Sequence, residues 1–260
     1  MILDEIIAWK RQEVAEKRRR IPLETIAEAA ASAPPCRDFA GALRRPGITL
    51  IAEFKRRSPS RGEILPDGDP AAVARVYHDA GAEALSVLTD ARYFGGSMAD
   101  LASAREAVPL PCLRKEFIID PYQVYEARAG GADAILLIVR VLDDRALRTL
   151  LETAGRLGLA SLVETHSEEE VRRAVDAGAA IVGINNRDLD TLSMDLQTTM
   201  RLRPLVPGHV LLVSESGIRT REDVQCLEDG GVDAVLVGES ILTSGDPGRK
   251  IRELLGYDTD

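Results

Sequence analysis

Residues 131–139 read Gly-Ala-Asp-Ala-Ile-Leu-Leu-Ile-Val, a glycine and a polar step followed by an uncharged apolar run. A run apolar at odd and even positions alike fits a parallel strand covered on both faces by helices. The glycine ahead of it suits the left-handed cap that ends a preceding helix. Working outward, the opening recurs as Gly-Ala-Glu-Ala at 81–84, Gly-Ala-Ala at 178–180 and Gly-Val-Asp-Ala at 231–234, each before another apolar run. With the runs between them, eight strands are expected, at about 49–55, 84–89, 111–117, 134–139, 160–165, 180–185, 210–215 and 234–238. Amphipathic segments such as Pro70 to Tyr77 and Glu168 to Val175 alternate with them. The echo precedes the second, fourth, sixth and eighth strands, so the repeating unit is two βα steps. That pattern predicts a closed (β/α)8 TIM barrel, with its chemistry at the C-terminal ends of the strands.

Ahead of the first strand, Ile2 to Arg20 reads as a helix with Ile2, Leu3, Ile6, Ile7 and Val14 near one face and Lys17 to Arg20 at its end, where cations suit the dipole. Ala31 to Cys36 breaks that pattern, and Asp38 to Leu43 reads as one more short helix. Residues 1–47 are therefore expected to form an N-terminal helical extension capping a catalytic barrel of residues 48–260. The 260 residues, 45% of them hydrophobic, suffice for one large core. A formal charge of −9 opposes a nucleic-acid partner, and Lys17 to Arg20 reads as a solvated helix end. The N-terminus has no secretory signal pattern and no apolar run approaches a membrane span, so a cytoplasmic protein without a membrane partner is expected. Cys36, Cys112 and Cys226 are odd in number and form no CxxC pair, which points to reduced thiols. His78, His166 and His209 share no ligand spacing; they read as ordinary surface or loop histidines, and no metal is expected.

The 33 basic residues include five lysines, leaving 28 arginines, and two of those lysines, Lys55 and Lys115, end apolar runs. A titratable amine stands there where a permanent guanidinium would not serve the same chemistry. Glu164, Asn185 and Glu215 end the fifth, sixth and seventh runs. Glu53 lies two residues before Lys55 and shares its side of the strand. Alone, that couple fits a barrel-tying ion pair as well as an active site. The charged company tips the balance, because burying so many charges without function is costly. Lys115 and Glu164 stand on odd strands, which feed the same barrel layers, and suit a general acid and general base facing one substrate. Burial would draw the lysine down and the glutamate up in pKa, neighbouring opposite charges push back, and the direction stays open. After strands seven and eight, Ser214 to Ile218 and Val237 to Ile241 resemble a phosphate cradle, with Ser216, Gly217, Gly238 and Glu239 at its turns and Ser58 and Arg187 in support. Neutral backbone donors there would let an acidic protein hold an anion. Phe94, Phe117 and Leu189 are candidates for an apolar slot, with core packing the alternative for each. The loop from Ser58 to Asp69 reads either as a lid or as a long connection.

Five motifs carry a family resemblance: Lys-Arg-Arg-Ser-Pro-Ser at 55–60, Tyr-Phe-Gly-Gly-Ser at 93–97, Leu-Arg-Lys-Glu-Phe-Ile-Ile-Asp-Pro-Tyr-Gln at 113–123, Gly-Ile-Asn-Asn-Arg-Asp-Leu at 183–189 and Ser-Glu-Ser-Gly-Ile at 214–218. Together they resemble the indole-3-glycerol phosphate synthases of tryptophan biosynthesis, over almost the entire chain. The resemblance implies closure of 1-(2-carboxyphenylamino)-1-deoxyribulose 5-phosphate to indole-3-glycerol phosphate, with loss of carbon dioxide and water and without a cofactor. It implies that Lys115 protonates the ketone oxygen, that Glu164 is the acid or base partner in dehydration, and that Lys55, positioned by Glu53, holds the substrate carboxylate. Asn185 and Glu215 would contact substrate hydroxyls, Arg187 would steady the site, and Ser58, Ser216, Gly217, Gly238 and Glu239 would surround the phosphate. Glu239 departs from the small residue expected at that turn, so its carboxylate would have to face away from the anion. The implied partner is a small phosphosugar–anthranilate molecule, and the chain is expected to be a monomer or weak homodimer. Two alternatives stay open: another lyase or isomerase on the same barrel, including a Schiff-base aldolase using Lys55 or Lys115, and a phosphosugar-binding module without turnover.

Overall fold

The computed structural model describes residues 2–188 and 193–257. Eight parallel strands, β1 (Thr49–Phe54), β2 (Ala84–Leu88), β3 (Cys112–Lys115), β4 (Ala134–Ile138), β5 (Ala160–Thr165), β6 (Ile181–Asn185), β7 (Leu211–Glu215) and β8 (Ala234–Val237), pair in chain order, and β8 closes onto β1. Each lies within a residue or two of its expected place. Helices such as Pro70–Asp79, Asp144–Arg156 and Arg221–Asp229 cover the outside. The loop after β1 adds an unforeseen antiparallel hairpin, Arg57–Ser58 with Gly62–Glu63.

The repeated glycines do physical work at helix ends. Gly81, Gly131, Gly178 and Gly231 have φ of 105°, 85°, 86° and 77°. In each case the next residue's N–H donates five residues back, as in Ala132 to Ala127 at 2.9 Å and Val232 to Leu227 at 3.1 Å. That closes the helix and turns the chain into the next strand. The acid that follows in three of the repeats has a second task. Glu83, Asp133 and Asp233 accept from the backbone N–H groups of Leu50, Cys112 and Leu212, at 2.9, 2.9 and 2.7 Å. Each quarter of this kind staples the start of its own odd strand; the quarter containing β5 and β6 has Ala180 instead.

Strand register stacks the interior in layers of four, drawn from alternate strands. Ala84, Ala134, Ile181 and Ala234 form one level, and Ile51, Leu113, Leu162 and Val213 the next. Ser86, Leu136, Gly183 and Leu236 lie above them, and Glu53, Lys115, Glu164 and Glu215 form the level at the mouth. The barrel is thus mostly apolar below, with Ser86 the polar exception in those layers, and charged at its C-terminal rim.

The N-terminal segment touches both ends of the barrel. Helix α1 (Ile2–Arg20) lies at the mouth, where Ile2, Leu3 and Ile6 line the cavity. Helix α2 (Leu23–Ser32) packs on the helix Pro121–Ala129. The short α3 (Phe39–Ala42) brings Phe39 and Leu43 into the interior cluster at the opposite end, beside Ile51 and Ala84. The charges at the end of α1 find partners: Lys17 pairs with Glu13 and Glu126, and Arg18 with Asp120. The three cysteines are free thiols. No helix among the described residues is long and apolar enough to cross a membrane.

Candidate active site

A cavity of about 790 Å³ opens above the charged layer. Its floor centres on Lys115, whose Nζ lies 2.7 Å from Glu215 Oε2, 3.4 Å from Glu164 Oε2 and 3.9 Å from Glu53 Oε2. Carboxylates from β1, β5 and β7 therefore converge on one ammonium from β3. Lys55 Nζ holds the other oxygen of Glu53 at 2.7 Å. Two glycines make room for this crowding. A Cβ at Gly183 would stand 2.3 Å from Glu215 Oε1, and one at Gly238 would stand 2.7 Å from Glu53 Oε1. Bulk at either position would push a carboxylate out of the layer.

Electrostatics sort the carboxylates into two kinds. Burial by itself would raise Glu53, but Lys55 and Lys115 outweigh it and hold that carboxyl below the usual range. Glu164 follows the same balance: burial raises it, and Lys115, His166 and a hydrogen bond with Asn185 bring it below. Glu215 goes the other way, pushed up to about 7 by burial and by the charges of Glu164 and Glu53, which Lys115 only partly offsets. Burial would draw Lys115 down, yet its three carboxylate neighbours prevail and hold it above its ordinary value. The question left open by the sequence is therefore answered by the neighbours: the lysine stays charged, Glu164 is a carboxylate, and Glu215 is the group that titrates near neutral pH.

The loops after β7 and β8 face the cavity at one side. Ser216, with φ of 68°, is the one non-glycine residue in the left-handed region among the described residues, and Gly217 follows at 83°. Such a conformation costs about 1–2 kcal/mol at a non-glycine residue. Asn186 holds it in place: its Nδ2 donates to Ser214 Oγ at 3.0 Å and to the Ser216 carbonyl at 3.1 Å, while its Oδ1 accepts from Thr199. Ser240 Oγ donates to the Ile218 carbonyl at 2.9 Å, tying the two loops together. Ser58 is buried at the cavity wall, with its Oγ 3.4 Å from that of Ser60.

Glu239 behaves differently from expectation. Its carboxylate does not turn away but lines the cavity, 2.8 Å from Arg61 Nη1 and 3.7 Å from Arg187 Nη2. Two guanidiniums, Arg61 and Arg187, thus reach the same carboxylate. Asn185 Oδ1 accepts from the Arg187 backbone N–H at 3.0 Å, which fixes the start of that loop. On the apolar wall, Phe94 and Phe117 sit with ring centroids 6.1 Å apart and planes tilted by 40°. Leu189 lies outside the described residues.

His166 is no ordinary surface or loop histidine. Its side chain is 7% exposed, with Nε2 3.5 Å from Glu164 Oε1 and Nδ1 3.2 Å from Glu170 Oε2. The signal was present, since His166 follows Glu164 by two residues just as Lys55 follows Glu53. Lys10, Arg61 and Glu116 were also missed, and they carried no comparable signal.

Fold and site together define a class: a (β/α)8-barrel enzyme whose mouth is built for proton transfer beside an anion. The family model for indole-3-glycerol phosphate synthase matches residues 3–254. Among similar proteins, the indole-3-glycerol phosphate synthase of a Roseiflexus species is 52% identical over 265 residues, covering 98% of each chain. That of Mycolicibacterium smegmatis is 49% identical over 254 residues, covering 98% of this chain and 93% of that protein. The chain belongs to the indole-3-glycerol phosphate synthase family. Solved structures that resemble it in fold include 3-hexulose-6-phosphate synthase from Salmonella typhimurium, with a TM-score of 0.65 at 17% identity over 81% of this chain and 100% of that one. Thiamine phosphate pyrophosphorylase from Pyrococcus furiosus has a TM-score of 0.62 at 17% identity, over 80% and 94%.

Proposed function

We propose that the chain closes 1-(2-carboxyphenylamino)-1-deoxyribulose 5-phosphate to indole-3-glycerol phosphate, releasing carbon dioxide and water. The observation that carries this reading is the Lys115 ammonium held 2.7 Å from Glu215 and 3.4 Å from Glu164 on the cavity floor. As the aromatic carbon attacks the ketone, negative charge grows on the ketone oxygen and positive charge on the anilino nitrogen and ring. A fixed ammonium beside the first and carboxylates beside the second lower the barrier, because they are oriented before the reaction begins. Lys115 gives its proton to the oxygen. Lys55, kept in place by Glu53, holds the substrate carboxylate until carbon dioxide departs and the ring regains aromaticity. Dehydration then removes the new hydroxyl as water: Lys55 gives the hydroxyl a proton, and Glu164, a carboxylate at neutral pH, takes a proton from the adjacent ring carbon. Asn185 and Glu215 contact the sugar hydroxyls. Ser58, Ser216, Gly217, Gly238 and the backbone of Glu239 receive the phosphate, with Arg187 beside it.

Phe94 and Phe117 form the slot for the anthranilate ring, with residues 1–47 as a cap over the barrel of residues 48–260. We read the protein as cytoplasmic, and as a monomer or weak homodimer, since its exposed large hydrophobic side chains are few among the described residues. The test is direct. Mixing the purified protein with the carboxyphenylamino substrate should produce indole fluorescence, and Lys115→Met should abolish turnover while leaving substrate affinity nearly intact. An active Lys115→Met enzyme refutes the assigned acid; an inert wild type refutes the reaction.

A further inference from the structure

We propose that His166 is a positioning residue for Glu164, gripping one carboxylate oxygen from behind the cavity while the other faces Lys115. The inference rests on the reading of Glu164 as the base. Glu164 is buried between two nitrogen groups, with Oε2 at 3.4 Å from Lys115 Nζ and Oε1 at 3.5 Å from His166 Nε2. The ring cannot turn freely, because Glu170 Oε2 accepts from the His166 backbone N–H at 2.7 Å and lies 3.2 Å from Nδ1. With Nδ1–H given to Glu170, the neutral ring would point a lone pair at the Glu164 carboxylate. With Nδ1–H so placed, only the imidazolium puts an N–H there; Nε2 is buried without a hydrogen-bond partner among the described residues, and Glu164 Oε1 at 3.5 Å is the acid it faces. The groups around the ring agree: Glu164 on its own strand, Glu170 on the following helix and Glu215 from β7 are all acidic. Burial alone would lower His166, but Glu170, Glu164 and Glu215 outweigh it and lift the imidazole above its ordinary value.

A carboxylate with a cation on each oxygen keeps one rotamer and stays ionised, the state a base needs before it accepts a proton. Removing His166 should loosen the first property and weaken the second.

The test compares pH profiles and direct titration in the intact enzyme. In His166→Asn, kcat should fall about tenfold or more, part of the roughly hundredfold or greater contribution of a positioned base. KM should change little. Measured in a Glu215→Gln background, which removes the group titrating near 7, the acid limb of the kcat/KM profile reports Glu164 and should move up by about one pH unit once the neighbouring cation is gone. Glu170→Gln should shift the limb the same way by less. His166→Gln, whose amide can still donate to Oε1, should recover part of kcat without restoring the limb. A loss of kcat with an unmoved limb would show a merely structural role and overturn the proposal. Should His166→Asn fail to fold, NMR titration of the His166 ring decides: its pKa should drop when Glu164→Gln removes the facing charge, and an unchanged value overturns the contact. A fully active Glu164→Gln enzyme would overturn instead the assignment of Glu164 as base, whatever the titration shows.

Discussion

Glu239 sets two electrostatic demands against each other on one side chain. Arg61 and Arg187 lean on its carboxylate, yet the same corner is where the substrate phosphate is proposed to bind. A dianion arriving there must share both guanidiniums with an acid, and the side chain is 24% exposed, so the ion pair it gives up is weak. Glu239→Ser should therefore tighten substrate binding, lowering KM by up to about fivefold, the equivalent of about 1 kcal/mol, with kcat nearly unchanged. Steady-state kinetics and inhibition by inorganic phosphate check it; a higher KM would mean that Glu239 orients the arginines rather than competing for them. At this scale the sequence was readable wherever a residue ended a strand. Lys55, Lys115, Glu164, Asn185 and Glu215 could be placed because an apolar run with polar punctuation has few geometric readings. Arg61 could not, since nothing local distinguishes a loop arginine that reaches across to β8.

Lys10 shows what an element can conceal. It lies on α1, is 1% exposed, and meets Glu13, Asp90 and Glu116 at 2.7, 2.9 and 3.0 Å. Asp90 also caps the turn that carries Phe94, accepting from the Tyr93 and Phe94 N–H groups, and Glu116 accepts from the Phe117 N–H. One ammonium thus pins α1 to the two loops that place the aromatic pair. Lys10→Met would leave Asp90 buried without its cation and Glu116 with only the more distant Arg114 at 3.7 Å, and removing one partner of a buried pair costs about 3–5 kcal/mol. Urea unfolding should show a loss of that order. A loss below about 1 kcal/mol, the worth of an exposed pair, would sink the account. A sequence reader meets Lys10 as a polar interruption near an apolar helix face, which looks like a solvated residue. The strands and the quarter repeat were legible because periodicity and a recurring glycine span many residues. The Arg57–Glu63 hairpin was not, since two-residue strands have no period to read.

For the whole molecule, three carboxylates and two ammoniums share the rim of a protein already carrying a formal charge of −9. Catalytic readiness at that rim should cost stability, and pH exposes the cost. Glu53 and Glu164 lie below the usual carboxylate value, so the stability they contribute is present above about 4.5 and lost only as pH falls further. Glu215 has the opposite sign. Its value of about 7 in the fold exceeds the ordinary 4.5, so the stability it contributes is full below pH 4.5 and lost as pH rises through 7. A rise of that size corresponds to about 3 kcal/mol once the group is forced to ionise. Glu215→Gln keeps the shape and a hydrogen-bond acceptor for Lys115 while removing that penalty. The variant should melt close to wild type at pH 5, where Glu215 is protonated in the fold, and well above it at pH 8. For a chain of this length, about 3 kcal/mol amounts to a gap of roughly 6–12 °C. Its turnover should fall at pH 8, where the neutral amide no longer balances Lys115 or presents a carboxylate to the substrate hydroxyls, and much less at pH 5, where the wild-type group is itself neutral. Melting curves that stay parallel across the pH range would mean that Glu215 does not carry the strain assigned to it, and that the rim is stabilised by its crowding of charge rather than held in spite of it.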